Sequence, residues 1–226
     1  LYSTPKVFVK DFSVKAFLDT IDYTRGLLDI VVDYSTEVPQ PMQVEVELRT
    51  PNGWVVAKKK KEVERKDWFT FFNAKDFDLD KVMPWNDETP NLYTLFIKLY
   101  DSKDSLVELL SSKVGFRTVQ IKKLNGIPQV CLNGKPVEIR GVNRHEHSGY
   151  TGQYVPLEEM KRDIHLMKEG GVNAVRTCHY PDVAEWYDLC DREGLMVVCE
   201  ANIESHGYGY GKESLAHRKD YLQSHV

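Results

Sequence analysis

Hydrophobic and polar positions alternate one by one through the first half of the chain. Val7-Phe8-Val9, Leu27-Leu28-Asp29-Ile30-Val31-Val32, Gln43-Val44-Glu45-Val46-Glu47-Leu48, Trp54-Val55-Val56-Ala57, Trp68-Phe69-Thr70-Phe71 and Tyr93-Thr94-Leu95-Phe96-Ile97-Lys98-Leu99 read as strands. A period of two sends successive side chains to opposite faces of a sheet, so each strand offers one apolar face for burial. Turn residues such as Pro51-Asn52-Gly53 separate the runs, and convincing helical periodicity is missing before about residue 120. Many short strands joined by polar turns predict an antiparallel β-sandwich of immunoglobulin-like type. Trp54, Trp68 and Trp85 are expected to pack in its core or between its sheets rather than form a sugar-stacking platform.

The rhythm changes after Gly115-Phe116-Arg117. Val119-Gln120-Ile121 and Gln129-Val130-Cys131-Leu132 flank a turn, and Asn133-Gly134 is a further tight turn, which predicts a small hairpin at the base of a second domain. Leu157, Met160, Ile164 and Met167 then recur at three- and four-residue steps up to Gly170-Gly171, the spacing of an amphipathic helix. Ala184 to Glu193, closed by Gly194, is a second helix, and another is expected to begin near Tyr221. Three runs surround these helices and end in polar residues: Glu138-Ile139-Arg140-Gly141-Val142-Asn143-Arg144-His145, Val172-Asn173-Ala174-Val175-Arg176-Thr177-Cys178-His179, and Leu195-Met196-Val197-Val198, which leads into Glu200-Ala201-Asn202-Ile203-Glu204-Ser205-His206-Gly207.

The order β, helix, β, helix, β predicts parallel strands, and their carboxyl ends are where α/β enzymes place active sites. The fold class is therefore multidomain β plus α/β. An immunoglobulin-like β-sandwich is expected over residues 1–118, and the first part of a TIM (β/α)8 barrel over residues 119–226. A closed barrel of this kind has eight strands, so three are only part of one. Val172, Val175, Val197 and Val198 then lie along an open apolar edge.

Composition narrows the range of partners. Of 226 residues, 42% are hydrophobic and 28% charged, ordinary values for a globular chain, and a formal charge of -4 offers no field that would recruit nucleic acid or anionic lipid. The one basic run, Lys58 to Lys61, is flanked by Glu62 and Glu64 and reads as a solvated hairpin edge. No apolar segment approaches the roughly 20 residues that span a bilayer, so no membrane partner is expected. Leu1-Tyr2-Ser3-Thr4-Pro5 resembles neither a signal peptide nor a start, and the chain reads as part of something longer. Cys131, Cys178, Cys190 and Cys199 form no CxxC pair or close-spaced framework. Three of them fall in the βα segments and are expected as small buried thiols, which favours a cytoplasmic location over a periplasmic or secreted one with its signal removed.

Each strand-end residue is weak evidence alone. His179 in Cys178-His179-Tyr180-Pro181 reads equally well as a hydrogen-bonded structural histidine. Glu204 and His206 are two apart, a spacing that in extended chain points both side chains the same way and allows a shared cation. Their weight comes from joint occurrence on three consecutive strand ends.

Taken together, these stretches resemble the β-galactosidases of glycoside hydrolase family 2. The resemblance is carried by Leu132-Asn133-Gly134-Lys135-Pro136, Arg140-Gly141-Val142-Asn143-Arg144-His145-Glu146-His147, Asn173-Ala174-Val175-Arg176 with His179-Tyr180-Pro181, Trp186-Tyr187 with Leu189-Cys190-Asp191, and Glu200 to Gly207. Upstream, Asn91-Leu92-Tyr93 and Val114-Gly115-Phe116-Arg117 match the sandwich domain and its junction. The resemblance implies that Glu204 and His206 are ligands of an active-site Mg2+, a hard cation that keeps several waters. It implies that His145 and His179 hydrogen-bond galactosyl hydroxyls, and that Arg176 orients and keeps ionised the nucleophilic carboxylate. A galactoside substrate, a monovalent cation and a homo-oligomeric complete enzyme follow from the same resemblance.

The sequence also departs from the family pattern. Retaining glycosidases use two carboxyl groups about 5 to 5.5 Å apart. In the family the acid/base is the glutamate of an Asn-Glu pair after the fourth strand and the nucleophile follows the seventh, yet no Asn-Glu pair occurs in this sequence. Glu146, Glu200 and Glu204 belong to other strands and are not assigned those roles. The expected function is therefore part of a retaining β-galactosidase acting on terminal β-D-galactosides, with the 226-residue chain inactive by itself and a poor metal binder. The alternatives are a non-catalytic carbohydrate- or protein-binding module and, within the enzyme class, a β-glucuronidase or β-mannosidase relative.

Overall fold

A computed structural model of the chain describes residues 3–5, 7–36, 42–63, 69–72, 78–204 and 211. Among them the alternating runs form β1 (Val7–Leu18), β2 (Gly26–Thr36), β3 (Met42–Arg49), β4 (Val55–Val63), β5 (Phe69–Phe72), β6 (Asp78–Leu79), β7 (Tyr93–Tyr100) and β8 (Leu106–Val114). One sheet has the order β1-β2-β5, with β6 also on β2, and the other the order β4-β3-β7-β8. All pairings are antiparallel. The alternation explains the layers, because Leu28, Ile30 and Val32 of β2 pack in one core with Val44, Val46 and Leu48 of β3 and Leu95, Ile97 and Leu99 of β7. This is the immunoglobulin-like sandwich that the pattern predicts.

The opposite face of β3 is unusual in burying two carboxylates, Glu45 and Glu47. Register sets Glu45 against Lys98 of β7 and Glu47 against Lys58 of β4. Lys98 Nζ donates to Glu45 Oε1 at 2.9 Å and to Glu47 Oε2 at 3.0 Å, and Lys58 Nζ lies 3.2 Å from Glu45 Oε1. Burial alone raises a carboxyl pKa, but the bonds from Lys98 to both, from Lys58 to Glu45 and from Arg49 to Glu47 outweigh it and hold both carboxyls below their usual range. The basic run lies on β4, at the end of its sheet, with Lys60 paired to Asp104.

Two of the three tryptophans assigned to the core can be placed. Trp85 is fully buried, but Trp54 is 77% exposed and corrects that expectation. It stands at the tip of the β3–β4 hairpin, where Thr50 N donates to Trp54 O at 2.8 Å and Gly53 adopts φ 87°, so the strand has already left the core. Trp68 lies outside the described residues.

A small sheet follows, built from β9 (Val119–Leu124), β10 (Ile127–Leu132) and β11 (Lys135–Pro136) in the order β11-β10-β9. Its two turns, Asn125-Gly126 and Asn133-Gly134, carry positive φ at both central residues, the conformation that asparagine and glycine tolerate best. The chain forms two compact units, Leu1–Val137 and Glu138–Val226. Side chains tie the small sheet to the sandwich: Thr118 Oγ1 donates to Leu18 O at 2.8 Å, Tyr23 Oη to Gln120 Oε1 at 2.8 Å, and Asn133 Nδ2 to Trp85 O at 2.9 Å. The hairpin thus groups with the first unit, whereas the change of rhythm alone begins the second domain at residue 119.

The second unit alternates strand and helix: β12 (Gly141–Arg144), α1 (Leu157–Glu169), β13 (Ala174–Thr177), α2 (Ala184–Glu193) and β14 (Met196–Val198). The strands are parallel in the order β12-β13-β14, the opening of a barrel. Asn173 aligns the first two strands, accepting from Arg140 N at 2.9 Å and donating to Glu138 O at 3.0 Å. Met160 and Ile164 of α1 and Trp186 and Cys190 of α2 close over Val175 and Leu195. Leu157, at the first position of α1, is exposed, so the apolar stripe is narrower than its spacing suggests. Val175 is buried on the central strand, not on an edge, because β12 and β14 flank it; on those two outer strands Val142 and Val198 are exposed. Cys131, Cys178 and Cys190 are buried while Cys199 is exposed, so one of the three thiols expected to be buried in the βα segments is not. The helix expected near Tyr221 lies outside the described residues, and among those described no helix is long and apolar enough to cross a membrane.

Candidate active site

The register of the parallel strands assembles the site. Asn143 of β12 pairs with Arg176 of β13, and Arg176 with Val198 of β14, so these three point to one face of the sheet. Two residues beyond Val198, still on that face, stands Glu200. Arg176 Nε donates to Glu200 Oε1 at 2.6 Å and Arg176 Nη1 to Asn143 Oδ1 at 3.4 Å. His179 Nδ1 lies 3.1 Å from Glu200 Oε2 and 3.3 Å from Arg176 Nη2. Glu200 N donates to Thr177 Oγ1 at 3.1 Å, which ties the end of β14 to β13. The Cys178–His179 peptide is cis.

Arg176, His179, Glu200, Ala201, Ile203 and Glu204 line an open hollow of about 410 Å³. The hydrogen bond from Arg176, and to a lesser extent His179, holds the Glu200 carboxyl below its usual range against slight desolvation. The same bond raises Arg176 further. An ionised carboxylate and a cation, both partly exposed, therefore share the hollow.

Of the residues singled out in the sequence, Arg176, His179 and Glu204 line this hollow. His145 is adjacent: its ring stands edge-on to that of His179 with centroids 5.4 Å apart, and 6.1 Å from that of Tyr180. His206 lies outside the described residues, so of the two expected metal ligands only Glu204 is placed. Among the described residues no three His, Cys, Asp or Glu side chains converge on a metal position. The exposed Glu204 carboxylate suits a hard cation, but one donor does not make a site.

Sequence reasoning weighed Glu200 only as a catalytic carboxylate and gave it no other role. The signal was present, since a residue two past a strand's last apolar position shares a face with the residues paired to that strand. Glu146 has a different task. Both its carboxylate oxygens lie within 3.3 Å of Val183 N, at the amino end of α2, where a negative charge is favourable. Behind the strands, buried Arg144 donates to Asp182 Oδ2 at 2.7 Å and Asp163 Oδ2 at 3.1 Å and stacks 3.8 Å over Trp186. Burial raises the Asp182 carboxyl, with the neighbouring Glu146 charge adding to it, even though Arg144 opposes the shift. Tyr187 Oη accepts from Asp182 N and lies 3.2 Å from Cys199 Sγ, and burial with that thiol pushes the phenol up to about 12.

Residues 7–117 match the family described as Glycosyl hydrolases family 2, and residues 119–223 match the TIM barrel domain of that family. The chain is 40% identical over 207 residues to a β-galactosidase of Halalkalibacterium halodurans, covering 92% of the chain and 19% of the relative. It is 40% identical over 218 residues to a β-galactosidase of Priestia megaterium, covering 92% of the chain and 20% of the relative. The chain thus spans about a fifth of the length of these curated relatives. Among solved structures, apo β-glucuronidase 3 of Bacteroides uniformis superposes with a TM-score of 0.80 at 24% identity, over 98% of this chain and 26% of that one, a likeness of fold.

Proposed function

The chain belongs to glycosyl hydrolases family 2, and on that premise we propose that it supplies the sandwich and opening barrel strands of a retaining β-galactosidase. The observation that carries this reading is the convergence of Arg176, His179, Glu200 and Glu204 on one hollow at consecutive strand ends, in a chain 40% identical to β-galactosidases. Imidazoles such as His145 and His179 exchange hydrogen bonds with sugar hydroxyls, which are both donors and acceptors. A glucuronide would ask for an unspent cation to meet its carboxylate. Among the hollow's described lining residues the cation is Arg176, which already pairs with Glu200 and whose remaining donors serve the nucleophilic carboxylate of the longer enzyme in this proposal, which favours the neutral sugar.

Arg176 keeps further donors beyond those bound to Glu200 and Asn143, and in the longer enzyme these orient a nucleophilic carboxylate and hold it ionised. Glu204 with His206 would hold Mg2+, whose chemistry is to fix and polarise oxygen ligands. A monovalent cation, a homo-oligomeric assembly and a cytoplasmic setting complete the proposal. The 226-residue chain by itself does not hydrolyse glycosides in this reading. Glu200 is engaged by Arg176 and His179 and Glu146 by the Val183 amide, so neither acts as acid/base, a function that contributes about 10²- to 10⁴-fold.

Ligand-observed NMR on the purified chain tests this, with nitrophenyl glycoside hydrolysis measured alongside. The expected result is weak saturable galactose binding, weaker binding of glucuronate, loss of galactose binding in His179→Ala, and no hydrolysis. Preference for glucuronate would overturn the galactoside assignment, and hydrolysis by the chain alone would overturn its inactivity.

A further inference from the structure

We infer that Glu200 is a positioning residue that sets the tautomer of His179, so that His179 Nε2 offers a lone pair, not a proton, to a sugar hydroxyl. The inference rests on the glycoside reading only for the identity of that ligand.

His179 Nδ1 sits between two groups with opposite demands. Glu200 Oε2, 3.1 Å away, is an acceptor and needs a proton on Nδ1. Arg176 Nη2, 3.3 Å away, is a donor and needs a lone pair there. One ring nitrogen of a neutral imidazole cannot serve both. The carboxylate has the stronger claim. Arg176 already donates from Nε to Glu200 at 2.6 Å and from Nη1 to Asn143, so its contact with the ring is the one it needs least. A lone pair on Nδ1 would instead face the negative Glu200 oxygen at the shorter distance. Glu200 is itself anchored, through its backbone N–H to Thr177 and through Arg176. With the proton on Nδ1, the neutral ring leaves Nε2 as an acceptor. A hydroxyl that donates to Nε2 has its oxygen lone pairs turned away, available to another donor.

The isosteric change Glu200→Gln makes a sharp test. Arg176 Nε–H requires an oxygen at the position of Oε1, so the amide oxygen goes there and the NH2 group faces His179. Nδ1 must then accept, and the ring proton moves to Nε2. The measurement is the ¹⁵N shifts of the His179 ring in the histidine-labelled 226-residue chain, at a pH where the ring is neutral, with assignment by loss of signal in His179→Asn. The expected result is a proton-bearing Nδ1 in the wild type, a proton-bearing Nε2 in E200Q, and an unchanged Nδ1–H in Arg176→Met, where Glu200 still holds the ring. A Glu200 that merely supported the fold would leave the nitrogen types alike in wild type and E200Q, and that outcome overturns the inference.

If E200Q loses its folded amide spectrum, the wild type and R176M decide: a protonated Nε2 in either is contrary to the inference. Galactose affinity should fall about tenfold in E200Q, the equivalent of one misdirected hydrogen bond. The expected tautomers with no galactose binding in any form would support the role of Glu200 while overturning the substrate reading.

Discussion

On the outer face of the sandwich Glu45 and Glu47 are 5% and 3% exposed and shared among Lys98, Lys58 and Arg49. At the strand ends of the second unit the Glu200 side chain is 29% exposed and shared between Arg176 and His179. Both clusters lower the pKa of their carboxylates, yet by different means. In the first, cross-strand register brings long lysines over two glutamates in mid-sheet, and hydrogen bonds have to overcome a burial penalty. In the second, desolvation is the lesser influence and one guanidinium bond dominates. The first cluster covers its own charges. The second stands where the parallel strands stop, so its groups line an open hollow. A depressed carboxyl pKa alone therefore does not mark function; what separates the two is whether the backbone continues past the cluster or ends beneath it.

The largest expected effect comes from a third arrangement that is buried in the second unit. Arg144→Ala strips Asp182 of its partner in a site where burial already penalises the charge, and the expected loss is about 3–5 kcal/mol of stability by urea unfolding. Lys98→Met should cost less, about 1–3 kcal/mol, because Lys58 and Arg49 remain beside the two glutamates. A loss as large as that at Arg144 would mean that the sandwich cluster is no more compensated than the buried pair.

Acid should separate the two regions further. Glu45 and Glu47 have folded-state values below their ordinary 4.5, so their contribution is fully present above that pH and is lost as the pH falls through the folded values. Asp182 is raised above its ordinary 3.8, so ionising it costs the folded state, a cost absent in acid and present once the pH has risen through its folded value. Amide protection, corrected for the intrinsic slowing of exchange in acid, should fall in β3 and β7 before it does around Asp182 as the pH is lowered from neutral. The smallest effect is expected at Trp54→Ser, within about 0.5 kcal/mol, since the hairpin tip is held by backbone bonds. By contrast Trp85→Ala, at a fully buried ring, should equal Arg144→Ala at the top of the range, about 3–5 kcal/mol.

Those two tryptophans show where reading a sequence by residue type stops working. Trp54 and Trp85 are the same side chain in similar local surroundings, but one lies past the last core position of its hairpin and the other is bonded to the Phe116 backbone and to Asn133. The turn signal at Pro51-Asn52-Gly53 was adjacent to Trp54, and the residue that follows a turn is the one least covered by the opposing sheet. Val175 and Cys199 were misplaced for a related reason: which strand is central and which thiol is covered depend on pairing order. Arg176 and His179 could be picked out as candidates because they stand three residues apart at one strand end. The role of Glu200 could not, because its importance comes from Arg176, 24 residues earlier.

By itself the sequence determined the period-two strands, both helices with their glycine stops, the change of architecture between the halves, and the family. These are local quantities, set by side-chain spacing and by the few residues that tolerate positive φ. Tertiary structure alone decided that Glu45 and Glu47 are buried and neutralised while Glu200 is open and shared, that Glu146 receives an amide at the start of α2, and that His179 meets two opposed partners. Each of these outcomes depends on strand register. Register brings together residues far apart in the chain, and a shift of one residue would send every side chain of a strand to the other face.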